Sequence, residues 1–153
     1  MNIDLSPNES ANRNALVNGD QNPDQYINSL KKIIEDNSKS TQFDAVMCTA
    51  GNFAMTKITD VNFFKSYEQM HKVNVNPTLL TAHLASSYLK KDGLCVITGA
   101  EFPFKSPAPD MLCYALSKNL VHSLANNVAK SGHLPENSSL VTILPYSFFI
   151  VKN

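Results

Sequence analysis

The apolar positions of this chain follow two alternating patterns. In residues 23–37, Tyr26, Ile27, Leu30, Ile33 and Ile34 recur at helical spacing and form one stripe, which predicts an amphipathic helix lying on a sheet. Asn22-Pro23 marks its start, a side chain able to cap followed by a proline at the first helical position. Phe43-Asp44-Ala45-Val46-Met47-Cys48 is a short, mostly apolar run that empties into Thr49-Ala50-Gly51, as expected of a buried parallel strand leaving its sheet through a glycine turn. Residues 60–91 read as a helical zone in which Pro77 must remove a backbone hydrogen bond and bend or break the helix. Within it, Phe63, Phe64, Tyr67 and Met70 recur at helical spacing and are expected in the core. Leu94-Cys95-Val96-Ile97 follows as a second buried strand closed by Thr98-Gly99-Ala100. Residues 110–129 form another helix, and residues 140–145 a third apolar strand.

Strands of four to six residues alternating with longer helices imply a parallel sheet covered on both faces, an α/β fold. In such sheets ligands bind at the carboxyl ends of the strands, here Thr49 to Gly51, Thr98 to Ala100 and Leu144-Pro145. Upstream, residues 8–22 are rich in Asn and Asp and read as loops around one short strand at residues 15–17.

Composition narrows the function classes. Thirteen basic residues balance thirteen acidic ones without clustering, so no nucleic-acid footprint is present. The first twenty residues have no basic start followed by an apolar stretch, and no apolar run approaches the ~20 residues of a membrane span, which makes the cytosol the expected address. Cys48, Cys95 and Cys113 lack CxxC spacing and are expected as reduced core residues. His71, His83, His122 and His133 show no ligand spacing, so no metal site is expected.

The sharpest chemical feature is Tyr114-Ala-Leu-Ser-Lys118. An (i, i+4) pair shares a helix face, and an ammonium beside a phenol lowers the tyrosine pKa and makes it a usable acid or base. A half-buried tyrosine beside a surface lysine gives the same pattern, so its context matters. The motif opens a helix after the strand that ends in Thr98-Gly99-Ala100, a strand ending in Ala50-Gly51 lies upstream, and Lys72-Val73-Asn74-Val75 stands between them.

On these motifs residues 43–145 resemble the central part of a short-chain dehydrogenase/reductase. The segments CTAGNFAMTK (48–57), AHLASSYLKKDGLCVITGA (82–100) and MLCYALSKNLVHSL (111–124) are most similar to the dihydropterin-reducing branch of that family. The resemblance implies hydride transfer from NADH, with NADPH less suited, to a quinonoid dihydropterin. Tyr114 would donate or relay the proton, Lys118 would hold the nicotinamide ribose, and Asn74 would be the water-holding helix residue, unless it is simply a polar residue beside a proline-bent turn. Ala50, Gly51 and Pro145 would line the cofactor. Ala100 stands where most members carry a substrate-binding serine, and alanine cannot orient a ketone by hydrogen bonding, which argues against an alcohol or ketone substrate. Thr98 is a poor substitute, since two residues back along a strand it lies roughly 6.5 Å lower.

Asp4, after Ile3, is similar to the acidic end of the family's second strand, where a carboxylate accepts adenosine ribose hydroxyls and favours NADH. A loosely placed N-terminal Asp is the alternative. Asp20 occupies a position that often touches adenine. The five glycines, at 19, 51, 93, 99 and 132, cannot form a GxGxxG turn. The expected architecture is therefore a single, incomplete Rossmann-like domain over residues 1–153. Its doubly wound parallel sheet would lack the first strand, the glycine-rich loop and the C-terminal elements. Residues 146–153 would be a divergent apolar tail and a sticky edge. Two functional classes follow, besides a reductase of another substrate class. One is the pterin reductase; the other is a non-catalytic fragment that keeps only a homodimer surface on the helices at 60–91 and 110–129.

Overall fold

A computed structural model describes residues 1–17, 22–37 and 42–145; Asp20 and residues 146–153 lie outside the described residues. The chain divides into two compact units, Met1–Thr41 and Gln42–Asn153.

In the first unit, β1 (Asn2–Asp4) pairs in parallel with β2 (Asn14–Leu16). α1 (Pro23–Asn37) starts where the sequence predicts: the Asn22 carboxamide oxygen accepts the Gln25 N–H at 2.9 Å, satisfying one of the donors a helix start leaves free. Leu30 and Ile34, from the predicted stripe, are buried.

The second unit is a three-stranded parallel sheet in the order β3 (Phe43–Met47), β4 (Leu89–Thr98), β5 (Ser139–Ile143). Helices connect both pairs. The predicted helical zone is resolved into α2 (Phe63–Met70), a π-helical turn at His71–Val75, and α3 (Asn76–Tyr88). Pro77 lies in the first turn of α3. It brings no N–H to the ladder, and just ahead of it the bonding slips by one residue, so that the Asn76 N–H reaches the His71 carbonyl. α3 ends three residues before the expected Lys91 because Leu89 turns extended and buries its side chain as the first residue of β4. Lys90 to Gly93 form a bulge: between Phe43–Leu89 and Ala45–Leu94, two steps along β3 match five along β4. After β4 come α4 (Phe102–Lys105) and α5 (Leu112–Ser131), which Gly132 closes at φ +69°.

Two expectations need correction. Only β4 is a buried strand. β3 and β5 each pair on one side among the described residues, which leaves Met47 62% and Val141 45% exposed. An apolar run marks a strand that could be buried, but a neighbour must cover it. Likewise, Met70 is fully buried and Phe63 partly so, whereas Phe64 (77% exposed) and Tyr67 are exposed, because α2 packs on one side only.

Two clusters make the core. Cys48, Ala85, Leu89, Cys95, Ile97 and Val121 fill the sheet side of the unit, and Met70, Ala100, Cys113 and Tyr114 pack together beyond the strand ends. All three cysteines are buried free thiols, and burial pushes the Cys95 thiol up to about 11. No helix among the described residues is long and apolar enough to cross a membrane.

Candidate active site

Parallel strands place all their carboxyl ends on one edge of the sheet, and the predicted residues of the second unit gather there. Lys118 is 2% exposed, and its Nζ donates to the Thr98 carbonyl at 2.9 Å. That bond uses one of three ammonium protons. A Cβ built on Gly51 would sit 3.0 Å from Asn74 Oδ1 and 3.4 Å from Lys118 Nζ, so the missing side chain keeps a gap open between these two groups.

Burial lowers the Lys118 pKa by desolvating the ammonium, against a smaller opposing pull from the Cys48 sulfur. The folded chain therefore binds this proton more weakly than the unfolded chain. The penalty is present in full below the folded pKa and is relieved as pH rises through it towards the ordinary lysine range. The stability of the wild type relative to Lys118→Met is accordingly expected to increase between about pH 7 and about pH 10. Urea unfolding midpoints of both proteins at the two pH values check this; a constant difference refutes it.

Asn74, on the π turn, is completely buried, and both atoms of its carboxamide are hydrogen-bonded. Oδ1 accepts the Asn52 N–H at 2.7 Å, while Nδ2 donates to the Asn52 carbonyl at 3.0 Å and to Ser117 Oγ at 2.9 Å. Ser117 Oγ in turn donates to the Tyr114 carbonyl at 2.7 Å. Asn74 thus joins the loop after β3 to the helix that carries Tyr114 and Lys118. The Asn74 backbone carbonyl accepts the Thr78 hydroxyl at 2.8 Å.

Tyr114 is buried among Met70, Ala100 and Cys113, and the Phe53 ring meets its ring edge-on at 5.0 Å. Its hydroxyl has no hydrogen-bond partner among the described residues. One expectation is reversed here. Burial pushes the Tyr114 pKa up, and no charge acts to lower it, since the Lys118 ammonium is held at the Thr98 carbonyl. At neutral pH Tyr114 is a phenol, a proton donor and not a ready base.

Ala100 follows β4 and has its backbone beside His122. The Thr98 hydroxyl is committed to the Cys48 carbonyl at 2.9 Å, in keeping with its dismissal as a substitute serine. Pro145 accepts the Glu101 N–H at 3.4 Å. Asp4 ends β1 in the other unit as an exposed carboxylate whose Oδ1 accepts the Leu5 N–H at 2.6 Å. Sequence reasoning missed Asn52, Ser117, Phe53 and His122. Two of these were accessible from spacing, since Ser117 stands three residues after Tyr114 and His122 four after Lys118 on the same helix. Asn52 and Phe53 were not, because only the loop's tertiary path brings them there.

The fold matches about half of the fold seen in solved short-chain dehydrogenases/reductases. A short-chain dehydrogenase family protein from Francisella tularensis superposes with a TM-score of 0.74 at 21% identity, covering 94% of this chain and 56% of that one. A short-chain dehydrogenase from Burkholderia cenocepacia, solved in complex with NADP, gives 0.70 at 20% identity over 86% and 52%. In sequence the chain is similar to the dihydropteridine reductase of Dictyostelium discoideum, 29% identical over 145 residues. The match takes in 94% of this chain and 60% of that relative. No protein-family model matches.

Proposed function

We propose that this chain carries the reacting-group portion of an NADH-dependent reductase that converts a quinonoid dihydropterin to the tetrahydropterin. The observation that carries the proposal is the pairing on α5 of a buried, neutral phenol, Tyr114, with a buried ammonium, Lys118, which faces a gap that only a glycine at position 51 leaves open. The likeness to dihydropteridine reductase supports the substrate class.

The residues present fit the nicotinamide end of such a cofactor. Lys118 keeps two N–H groups for ribose hydroxyls, and the Ala50-Gly51 backbone and Pro145 border the same strand ends. When bound, the cofactor supplies the hydride. Tyr114 supplies the proton, a role suited to a group that burial keeps protonated. Asn74 positions the Asn52 loop and the turn of α5 that holds Ser117. Ala100 offers the substrate a methyl group and no hydrogen bond, which suits a flat ring that brings its own polar atoms. The preference for NADH over NADPH rests on resemblance alone, Asp4 matching the family position where a carboxylate accepts ribose hydroxyls and repels a 2′-phosphate. Reduced buried thiols accord with a cytoplasmic setting.

A second reading rests on the outward faces of α3 and α5. Leu79, Leu116 and Leu120 are exposed there, and Leu79, Ala82, Leu124, Val128 and Leu134 border a groove of ≈ 340 Å³. These residues suit a homodimer through the helices of residues 60–91 and 110–129, with or without catalysis.

Calorimetric titration of the folded 153-residue chain with NADH separates the readings. A micromolar dissociation constant together with turnover of quinonoid dihydropterin is expected. A chain that is folded by circular dichroism yet binds no nucleotide sinks the reductase and leaves the dimer.

A further inference from the structure

Ser117 and Lys118 of α5 hydrogen-bond to the loop and strand end around the site, and the contacts do not stop at Lys118. One turn further on, His122 places Nε2 3.1 Å from the Ala100 carbonyl oxygen and 3.4 Å from the Ala100 amide nitrogen. Its ring also lies against that of Phe104 of α4, with centroids 4.7 Å apart and planes inclined by 32°. No other hydrogen bond to either pole of Ala100 is present among the described residues. The imidazole can serve both poles: the tautomer protonated on Nε2 donates to the carbonyl, and the one protonated on Nδ1 accepts from the amide. The contact is therefore kept in either tautomer.

Gly99 shows the same contact from the strand side. A Cβ there would lie 2.7 Å from His122 Cε1 and 2.9 Å from both Leu144 Cδ2 and Thr142 Cγ2, so the ring reaches Ala100 only because residue 99 has no side chain. Ala100 packs with Tyr114 in one cluster, and on the reductase reading its turn is the substrate-side wall.

We infer that His122 is a positioning residue, which pins the Ala100 backbone to α5 and so fixes the substrate-side wall relative to the Tyr114 hydroxyl. Tyr114, Lys118 and His122, spaced four apart, then hold the proton, the cofactor ribose and the wall on one rigid element. The catalytic part of this inference rests on the reductase reading; the clamp itself does not.

The test compares His122→Phe with His122→Gln. Phenylalanine keeps a ring against Phe104 but cannot bond to Ala100, whereas glutamine restores a donor and an acceptor. In His122→Phe, hydrogen–deuterium exchange of residues 99–105 is expected to quicken, while the β4 residues 94–97 stay protected. kcat for dihydropterin reduction should fall about tenfold or more with the KM for NADH unchanged. His122→Gln should recover most of both. Gly99→Ala, which pushes the ring aside, should reproduce the His122→Phe exchange pattern. Unchanged exchange of residues 99–105 in folded His122→Phe overturns the clamp, as does a loss that His122→Gln fails to repair. If the wild-type chain is inactive, the exchange data still decide the clamp, and the failure belongs to the reductase reading alone.

Discussion

Tyr114→Phe is expected to lower kcat for dihydropterin reduction by about 10²- to 10⁴-fold, the usual range for removing a positioned general acid. Affinity for NADH and stability should hardly move. The separation follows from the surroundings of the side chain. The hydroxyl has no protein partner among the described residues, so its removal breaks no internal hydrogen bond, and the phenylalanine ring keeps the edge-on contact with Phe53 and the packing on Met70 and Cys113. Surviving stability within about 0.5 kcal/mol together with lost turnover would be the signature of a group acting in the reaction. Because burial raises the Tyr114 pKa, loss of activity through its deprotonation should begin only above the ordinary tyrosine range. Stopped-flow turnover across pH, with urea unfolding of both proteins, provides the check. Full turnover by Tyr114→Phe would mean that the proton comes from elsewhere.

Asn74→Leu should produce the largest change in stability, a loss of about 3–5 kcal/mol. Leucine repeats the branched skeleton but is bulkier, so overpacking at this completely buried position adds to the cost of the lost hydrogen bonds. The buried Ser117 hydroxyl would lose a partner, at about 1–3 kcal/mol for a group left buried without one, and the N–H and carbonyl of Asn52, on an exposed loop, would lose two hydrogen bonds of about 1 kcal/mol each. Against a total stability of about 5–15 kcal/mol, this approaches unfolding. Asn76→Ala, at an exposed position two residues on, should stay within about 0.5 kcal/mol of wild type. Urea midpoints with an unchanged m-value measure both; a loss below about 1 kcal/mol in Asn74→Leu would show that water replaces the carboxamide.

Asn74 also shows how far sequence reasoning reached. Resemblance marks it as a functional position, and Pro77 marks the helix around it as irregular. The sequence does not disclose that its carboxamide is bound to Asn52 and Ser117, because those partners lie 22 and 43 residues away and meet it only across packed elements. Tyr114 and Lys118 were legible as a pair because four residues on a helix are close whatever the fold. Their electrostatics were not. Spacing predicts a cation that lowers a phenol pKa, whereas the structure ties the ammonium to the Thr98 carbonyl and lets desolvation set the direction for both groups. Asp20 lies outside the described residues, and Asp4 is seen only within its own unit.

What the sequence by itself determined is what depends on near neighbours. The cap at Asn22, the stripe of α1, the alternation of apolar runs and helices, the glycine turns and the α5 motif all rest on side chains within a few residues of one another. Only the tertiary structure decided which apolar strands are covered, that Phe64 and Tyr67 face outwards, that Lys90 to Gly93 bulge, and that His122 reaches Ala100. Burial and hydrogen-bond partnership are properties of where distant segments meet, and the local pattern of a chain does not encode the far side of a contact.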